Sequence, residues 1–101
     1  MLVSNVQVTR DKVVDFLAAS HESLNFENCN FDDEDLSGLE LDGVQFSGCS
    51  FLNTRFARAH LQDTVWQRCK LGQVDFSLAD LSSARFRVCD LHLSKWVCAQ
   101  I

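Results

Sequence analysis

Residues 69–91 read CKLGQVDFSLADLSSARFRVCDL, and the spacing of Leu71, Phe76, Leu81, Phe86 and Leu91 within them decides how the chain folds. One large apolar side chain recurs every five residues. Working outward, the same step runs back through Trp66, Leu61, Phe56, Phe51, Phe46, Leu41, Leu36, Phe31 and Phe26, and forward through Trp96 to Ile101. At 47% hydrophobic content, an unbroken series of 16 such positions arises by chance roughly 3 times in 100,000 even when all five registers are allowed. Two residues before each of these positions stands a second small or apolar side chain, as in Cys29, Val44, Ala59, Val74 and Ala84; Glu34 is the exception.

A period of five fits neither the 3.6 of a helix nor the 2 of a strand, and on a helix it would scatter the apolar residues around the axis. A solenoid accommodates it. If each five-residue unit forms one side of a coil, the central and minus-two side chains point inward and the other three face water. Stacked coils then pair their backbones at strand spacing, about 4.8 Å. The number of sides follows from a second period: Cys29, Cys49, Cys69 and Cys89 recur at every fourth unit, all at the minus-two position. Four sides stack them as one internal cysteine ladder. Phe26, Phe46, Trp66 and Phe86 then form an aromatic column, and Leu41, Leu61, Leu81 and Ile101 an aliphatic one. The expected fold is an all-β solenoid of about four coils.

Segments such as Ala79-Asp80-Leu81-Ser82-Ser83, Val74-Asp75-Phe76-Ser77-Leu78 and Cys89-Asp90-Leu91-His92-Leu93 resemble the pentapeptide-repeat pattern: alanine, aspartate or asparagine, leucine or phenylalanine, then two variable residues. The resemblance covers about residues 24–101 without a slip of register, and it implies a right-handed quadrilateral β-helix. Trp66 and Trp96 are larger than the family's usual central residue and are expected to widen their coils or to lie near an end.

Residues 1–23 read as a separate N-terminal element. Val6 and Val8 alternate with polar neighbours as in a short strand, Thr9 is a helix N-cap candidate, and residues 10–19 place Val13, Val14, Leu17 and Ala18 on one stripe. This helix is expected to cap the solenoid core, with His21 in the linker after it. The repeat itself runs to Ile101, which leaves Trp96, Val97, Cys98 and Ile101 at an uncovered coil end. Such an end is expected to stack on a second copy, giving a homodimer; a cut from a longer repeat protein and a tolerated open end are the alternatives.

Composition narrows the function classes. The chain has 101 residues, 14 acidic and nine basic, for a net charge of −5, so direct nucleic-acid binding is disfavoured. No run of about 18 apolar residues is present and the N-terminus lacks a secretory pattern, which argues against membrane and export readings. Five cysteines are an odd number without an export signal and read as reduced thiols in a cytoplasmic protein. His60 and His92 fall on different sides with no nucleophile beside them, and no phosphate-cradling glycine loop is present, so no catalytic residue, metal site or cofactor is expected. The terminal Cys98-Ala99-Gln100-Ile101 formally fits a prenylation box but is explained by the repeat register, with no basic run upstream.

Outward charge carries the remaining signal. Folding at four units per coil gathers Glu40, Asp42, Asp63 and Asp80 on one side, with His60 and Gln62 between them, and places Arg68, Arg85 and Arg87 on the first side of the coil, toward the C-terminal end. The reading that follows is a non-catalytic protein-binding or scaffolding rod. The family resemblance adds an alternative, because some members are dimers joined through their C-terminal coils that imitate DNA and bind type II topoisomerase (DNA gyrase). A repeat module of a larger bacterial effector is the third reading.

Overall fold

The computed structural model describes residues 1–20 and 22–101; the expected linker position of His21 lies outside them. The elements are β1 (Leu2–Ser4), α1 (Arg10–Ala19), β2 (Asn25–Glu27), β3 (Gln45–Ser47), β4 (Val65–Gln67) and β5 (Arg85–Arg87), with the five strands in one parallel sheet in chain order. Phe26 pairs with Phe46, Phe46 with Trp66, and Trp66 with Phe86, so successive coils are in register at a step of four units. The other three sides are held by parallel bridges such as Ser50↔Lys70, Arg55↔Asp75 and His60↔Asp80. The result is a right-handed β-helix measuring 32 × 22 × 21 Å.

Backbone pairing alternates along each side. The N–H of a central residue donates to the coil ahead, as from Leu61 to the Asp80 carbonyl at 2.8 Å, and the N–H before it donates to the coil behind, as from His60 to the Leu39 carbonyl at 2.9 Å. Each side thus satisfies its polar groups although it is too short to be a conventional strand. The corners explain how a chain without proline and with four glycines can turn so often. Every fifth residue from Asn28 to Cys98 takes a positive φ, between 54° and 76°. In the early coils the residues there are mostly Asn, Asp or Gly, which tolerate that conformation; later they include Leu78, Val88 and Leu93, for which it is costly.

Inside, the central residues form columns of rings. Phe26 and Phe46 stack at 5.6 Å between centroids, Phe46 and Trp66 at 4.4 Å, and Trp66 and Phe86 at 5.5 Å. Trp66 therefore continues the column at an axial spacing no greater than that of phenylalanine. Its polar edge is accommodated by a hydroxyl two residues earlier. The Trp66 indole N–H donates to Thr64 Oγ1 at 2.9 Å, and Thr64 donates in turn to the Leu61 carbonyl at 2.8 Å. Trp96 and Ser94 repeat the arrangement at 2.7 Å. A minus-two hydroxyl thus supplies the partner that a buried indole requires. Thr64→Val keeps the shape but strands that N–H, and should lower the unfolding free energy by about 1–3 kcal/mol in urea titrations, with Trp66→Phe partly rescuing the loss.

The N-terminal segment is spliced into the first coil. Val3 pairs with Phe26, and the Val8 N–H donates to the Asn30 carbonyl at 2.8 Å, so residues 2–8 supply two sides in the register of those that follow. Helix α1, opened by Thr9 accepting from the Lys12 N–H, then lies across the core mouth. Its inner stripe is Val13, Phe16 and Leu17, with Phe16 edge-on to Phe26 at 6.1 Å, while Val14 and Ala18 face outward. The stripe differs from the expected one because the ring of Phe16 reaches the aromatic column, rotating the helix toward it. Glu34, the charged intruder at an inward position, closes the cap. Its Oε1 accepts from the Arg10 N–H at 2.9 Å, while the Arg10 guanidinium donates to the carbonyls of Asp35 and Ser37. A carboxylate at a helix N-terminus is favoured by the free N–H groups there.

Candidate functional site

Among the described residues no side of the coil is interrupted by an inserted loop, so the candidate sites are the faces and ends of the rod. The cysteine ladder is interior. Cys29, Cys49 and Cys69 are buried, Cys89 is half-buried, and all are free thiols. Each Sγ lies within hydrogen-bonding distance of a carbonyl on the coil behind: Val3 for Cys29 (3.3 Å), Phe26 for Cys49 (3.5 Å), Phe46 for Cys69 (3.7 Å) and Trp66 for Cys89 (3.3 Å). The hydrogen bond with Cys69, together with burial, pushes the Cys49 thiol well above its ordinary value; burial raises Cys89 as well. The contact with Cys49 lowers the Cys69 thiol in turn, and the ladder is an interior packing column. Cys98 instead sits exposed on a corner.

The acidic residues are brought together by the four-unit register. Glu40, His60 and Asp80 are bridged in sequence on one side, flanked by Asp42 two residues along, with Asp63 on the adjoining corner. Two of them, Asp42 and Asp80, are joined through Gln62. Asp42 accepts from the Gln62 N–H at 2.8 Å, and Asp80 accepts from the Gln62 side-chain amide at 2.5 Å and from the N–H and hydroxyl of Ser82 at 3.0 and 2.7 Å. Those bonds to Ser82 and Gln62, and the nearby His60, hold the Asp80 carboxyl below its ordinary value. Asp80 thus carries its negative charge throughout the neutral range. Among the described residues, no group of three or more histidine, cysteine or acidic side chains is arranged to hold a metal ion.

Charge also separates along the axis, which reading by sides alone misses. Residues 1–50 contain ten acidic and two basic side chains, and residues 51–101 four acidic and seven basic. Counting charge by coil would have found it. The negative field belongs to the capped half of the rod, and the other half is weakly positive.

At the C-terminal coil, Phe86, Leu91, Trp96 and Ala99 are half-buried, whereas their counterparts one coil earlier, Trp66, Leu71, Phe76 and Ala79, are fully buried. Val97 and Ile101 are 66% and 82% exposed. The residues expected at an interface, Trp96, Val97, Cys98 and Ile101, therefore share one partly uncovered coil, with the Trp96 ring still packed on Phe76 at 4.6 Å. Among the described residues, no helix is long and apolar enough to cross a membrane.

Comparison with known proteins agrees with this architecture. The family model described as a pentapeptide repeat region matches residues 19–96. A trypsin-treated form of QnrB1, a plasmid-mediated fluoroquinolone resistance protein, superposes with a TM-score of 0.76 at 23% identity, over 99% of this chain and 47% of that one. The full-length QnrB1 structure gives a TM-score of 0.66 at 23% identity, over 95% and 48%. The pentapeptide-repeat protein Rfr23 of the cyanobacterium Cyanothece 51142 gives 0.63 at 10% identity, over 99% and 80%. The chain thus spans about half the length of the QnrB1 structures it matches. No curated protein matches it significantly in sequence. The unbroken five-residue register, the square coil and the family match over 19–96 together place this chain in the pentapeptide-repeat family.

Proposed function

We infer that this chain is a non-catalytic, protein-binding rod of the cytoplasm that pairs with a second copy through its C-terminal coil. The carrying observation is the coil bearing Trp96, where large apolar side chains fully buried one coil earlier are left half-covered. A second copy stacked there would complete the aromatic columns and pair free backbone groups. The test is mass in solution. Light scattering should give twice the chain mass for the wild type and a monomer for Trp96→Asp, with the circular-dichroism spectrum unchanged. A monomeric wild type overturns the pairing.

A second reading has specific support. The anionic face of Glu40, Asp42, Asp63 and Asp80 lies on a rod about 21 Å across, close to the width of a DNA duplex, and the fold is that of a fluoroquinolone resistance protein. These features favour a DNA-mimicking modulator of DNA gyrase, steered to a basic groove by charge. In a supercoiling assay the protein should alter gyrase activity or its quinolone sensitivity, and Asp42→Lys with Asp80→Lys should abolish the effect. No effect at micromolar protein rejects this reading.

A further inference from the structure

The side between the corners at residues 33, 53, 73 and 93 and those at 38, 58, 78 and 98 carries an outward column of four charges. Asp35, Arg55, Asp75 and Lys95 are bridged in that order, one per coil, so their signs alternate along the rod. They line a shallow open groove of about 790 Å³ whose walls include Ser37 and Ala57 on one flank and Asn53 and Gln73 on the other. Both carboxylates are held by their own turns. Asp35 accepts from the Ser37 N–H at 3.0 Å and Asp75 from the Ser77 N–H at 2.9 Å, which fixes the negative members in place. The same bonds, aided by the neighbouring Arg and Lys charges, keep both carboxyls ionised.

An even, alternating column is complementary to itself at every position under a twofold axis. Turned by a twofold axis passing through the groove between Arg55 and Asp75, Asp35 falls opposite Lys95 of a second molecule and Arg55 opposite Asp75. All four juxtapositions are attractive. On the acidic side, by contrast, the order Glu40, His60, Asp80, Gln100 sets no cation opposite Glu40. We propose that this side is a lateral self-association surface, on which two rods pair antiparallel through the ladder Asp35, Arg55, Asp75 and Lys95. Such an isologous contact needs the same patch on both partners to be complementary to itself, and the flanking Ser37 and Ala57 are small enough to let the faces approach.

A side four coils long covers only a few hundred Å² per partner, below the ~800 Å² of a standard stable interface. Pairing is therefore reversible, salt-sensitive and distinct from any joining through the C-terminal coil. Surface ion pairs are individually weak and screened over about 8 Å at physiological salt. Their collective sign decides which orientation is allowed.

The test rearranges the ladder at constant net charge. Asp75→Lys with Lys95→Asp gives the order minus, plus, plus, minus; Asp35→Lys with Arg55→Asp gives plus, minus, minus, plus. Each clashes with itself across the twofold, and each complements the other. In sedimentation at low salt and rising concentration, the wild type should show a mass-doubling step beyond its dilute species. Each variant should lose that step, with its apparent dissociation constant raised at least tenfold. An equimolar mixture of the two should recover it, and 0.5 M salt should remove it from both the wild type and the mixture. A doubling that persists in each variant alone, a mixture that fails to recover it, or a wild type without the step overturns the proposal. Trp96→Asp leaves the lateral step in place, so loss of the C-terminal pairing and loss of the ladder contact are read separately.

Discussion

Trp66→Ala should lower the unfolding free energy by about 3–5 kcal/mol, the range for deleting a large aromatic from a packed core. Against the 5–15 kcal/mol total of a typical domain, that leaves a chain near the edge of folding. Trp66 has no exposed surface. It stacks between Phe46 and Phe86 along its own column and meets Phe51 of the next side and Phe56 and Phe76 of the opposite side edge-on. Its removal opens a void that no neighbour can fill, because each neighbouring ring is held in the register of its own coil. Trp66→Phe should cost far less, since phenylalanine occupies the same column at 26, 46 and 86. Urea titration of the three proteins checks the order; an alanine variant as stable as the wild type would contradict the packing described.

Thiol labelling should separate the cysteines by a factor of at least about a thousand in rate. Cys98 is exposed and should react as an ordinary surface thiol. Cys29, Cys49 and Cys69 are buried and should react only when the coils open, so their rates report the unfolding equilibrium. Mass spectrometry after a brief pulse of reagent should find Cys98 modified and Cys29, Cys49 and Cys69 unmodified, with the half-buried Cys89 between them. The raised Cys49 thiol adds a pH signature. A thiol that stays protonated when folded but ionises when unfolded leaves stability intact below the ordinary value near 9.0. Above that, stability falls by about 1.4 kcal/mol per pH unit for each such group, because the unfolded chain then holds fewer protons. Cys49→Ala, which installs the residue found at the same inward position in Ala59 and Ala79, should flatten that alkaline slope.

The fold was legible because its two signals are independent. The step from Phe26 to Ile101 sets the side length, and the step from Cys29 to Cys89 sets the number of sides. What escaped was chemistry that acts between residues of one unit or across the cap. Thr64 and Ser94 stand two residues before the only tryptophans, a pairing that names each indole's partner, yet they pass as ordinary small inward residues. Val3 and Val8 keep the five-residue step, but the helix between them and Leu24 hides their place in the coil. Glu34 stands out as an irregularity; only the meeting with the Arg10 N–H gives it a reason. The grouping of Glu40, Asp42, Asp63 and Asp80 follows directly from folding at four units per coil. The alternating column beside it does not stand out, since a reading that sorts surfaces by net charge scores Asp35, Arg55, Asp75 and Lys95 as neutral.

The four-cornered geometry also governs how such a rod can grow. Inserting four whole units anywhere in the solenoid adds one storey and leaves every vertical alignment intact, because each downstream side chain returns to the same compass bearing. Inserting a single unit rotates everything beyond by a quarter turn: Asp80 would leave the bearing it shares with Glu40, and each buried ring would meet a new neighbour above it. Lineages that lengthen or shorten this molecule are thus constrained to whole turns wherever a surface must stay continuous, and partial steps are admissible only where no pattern crosses the seam.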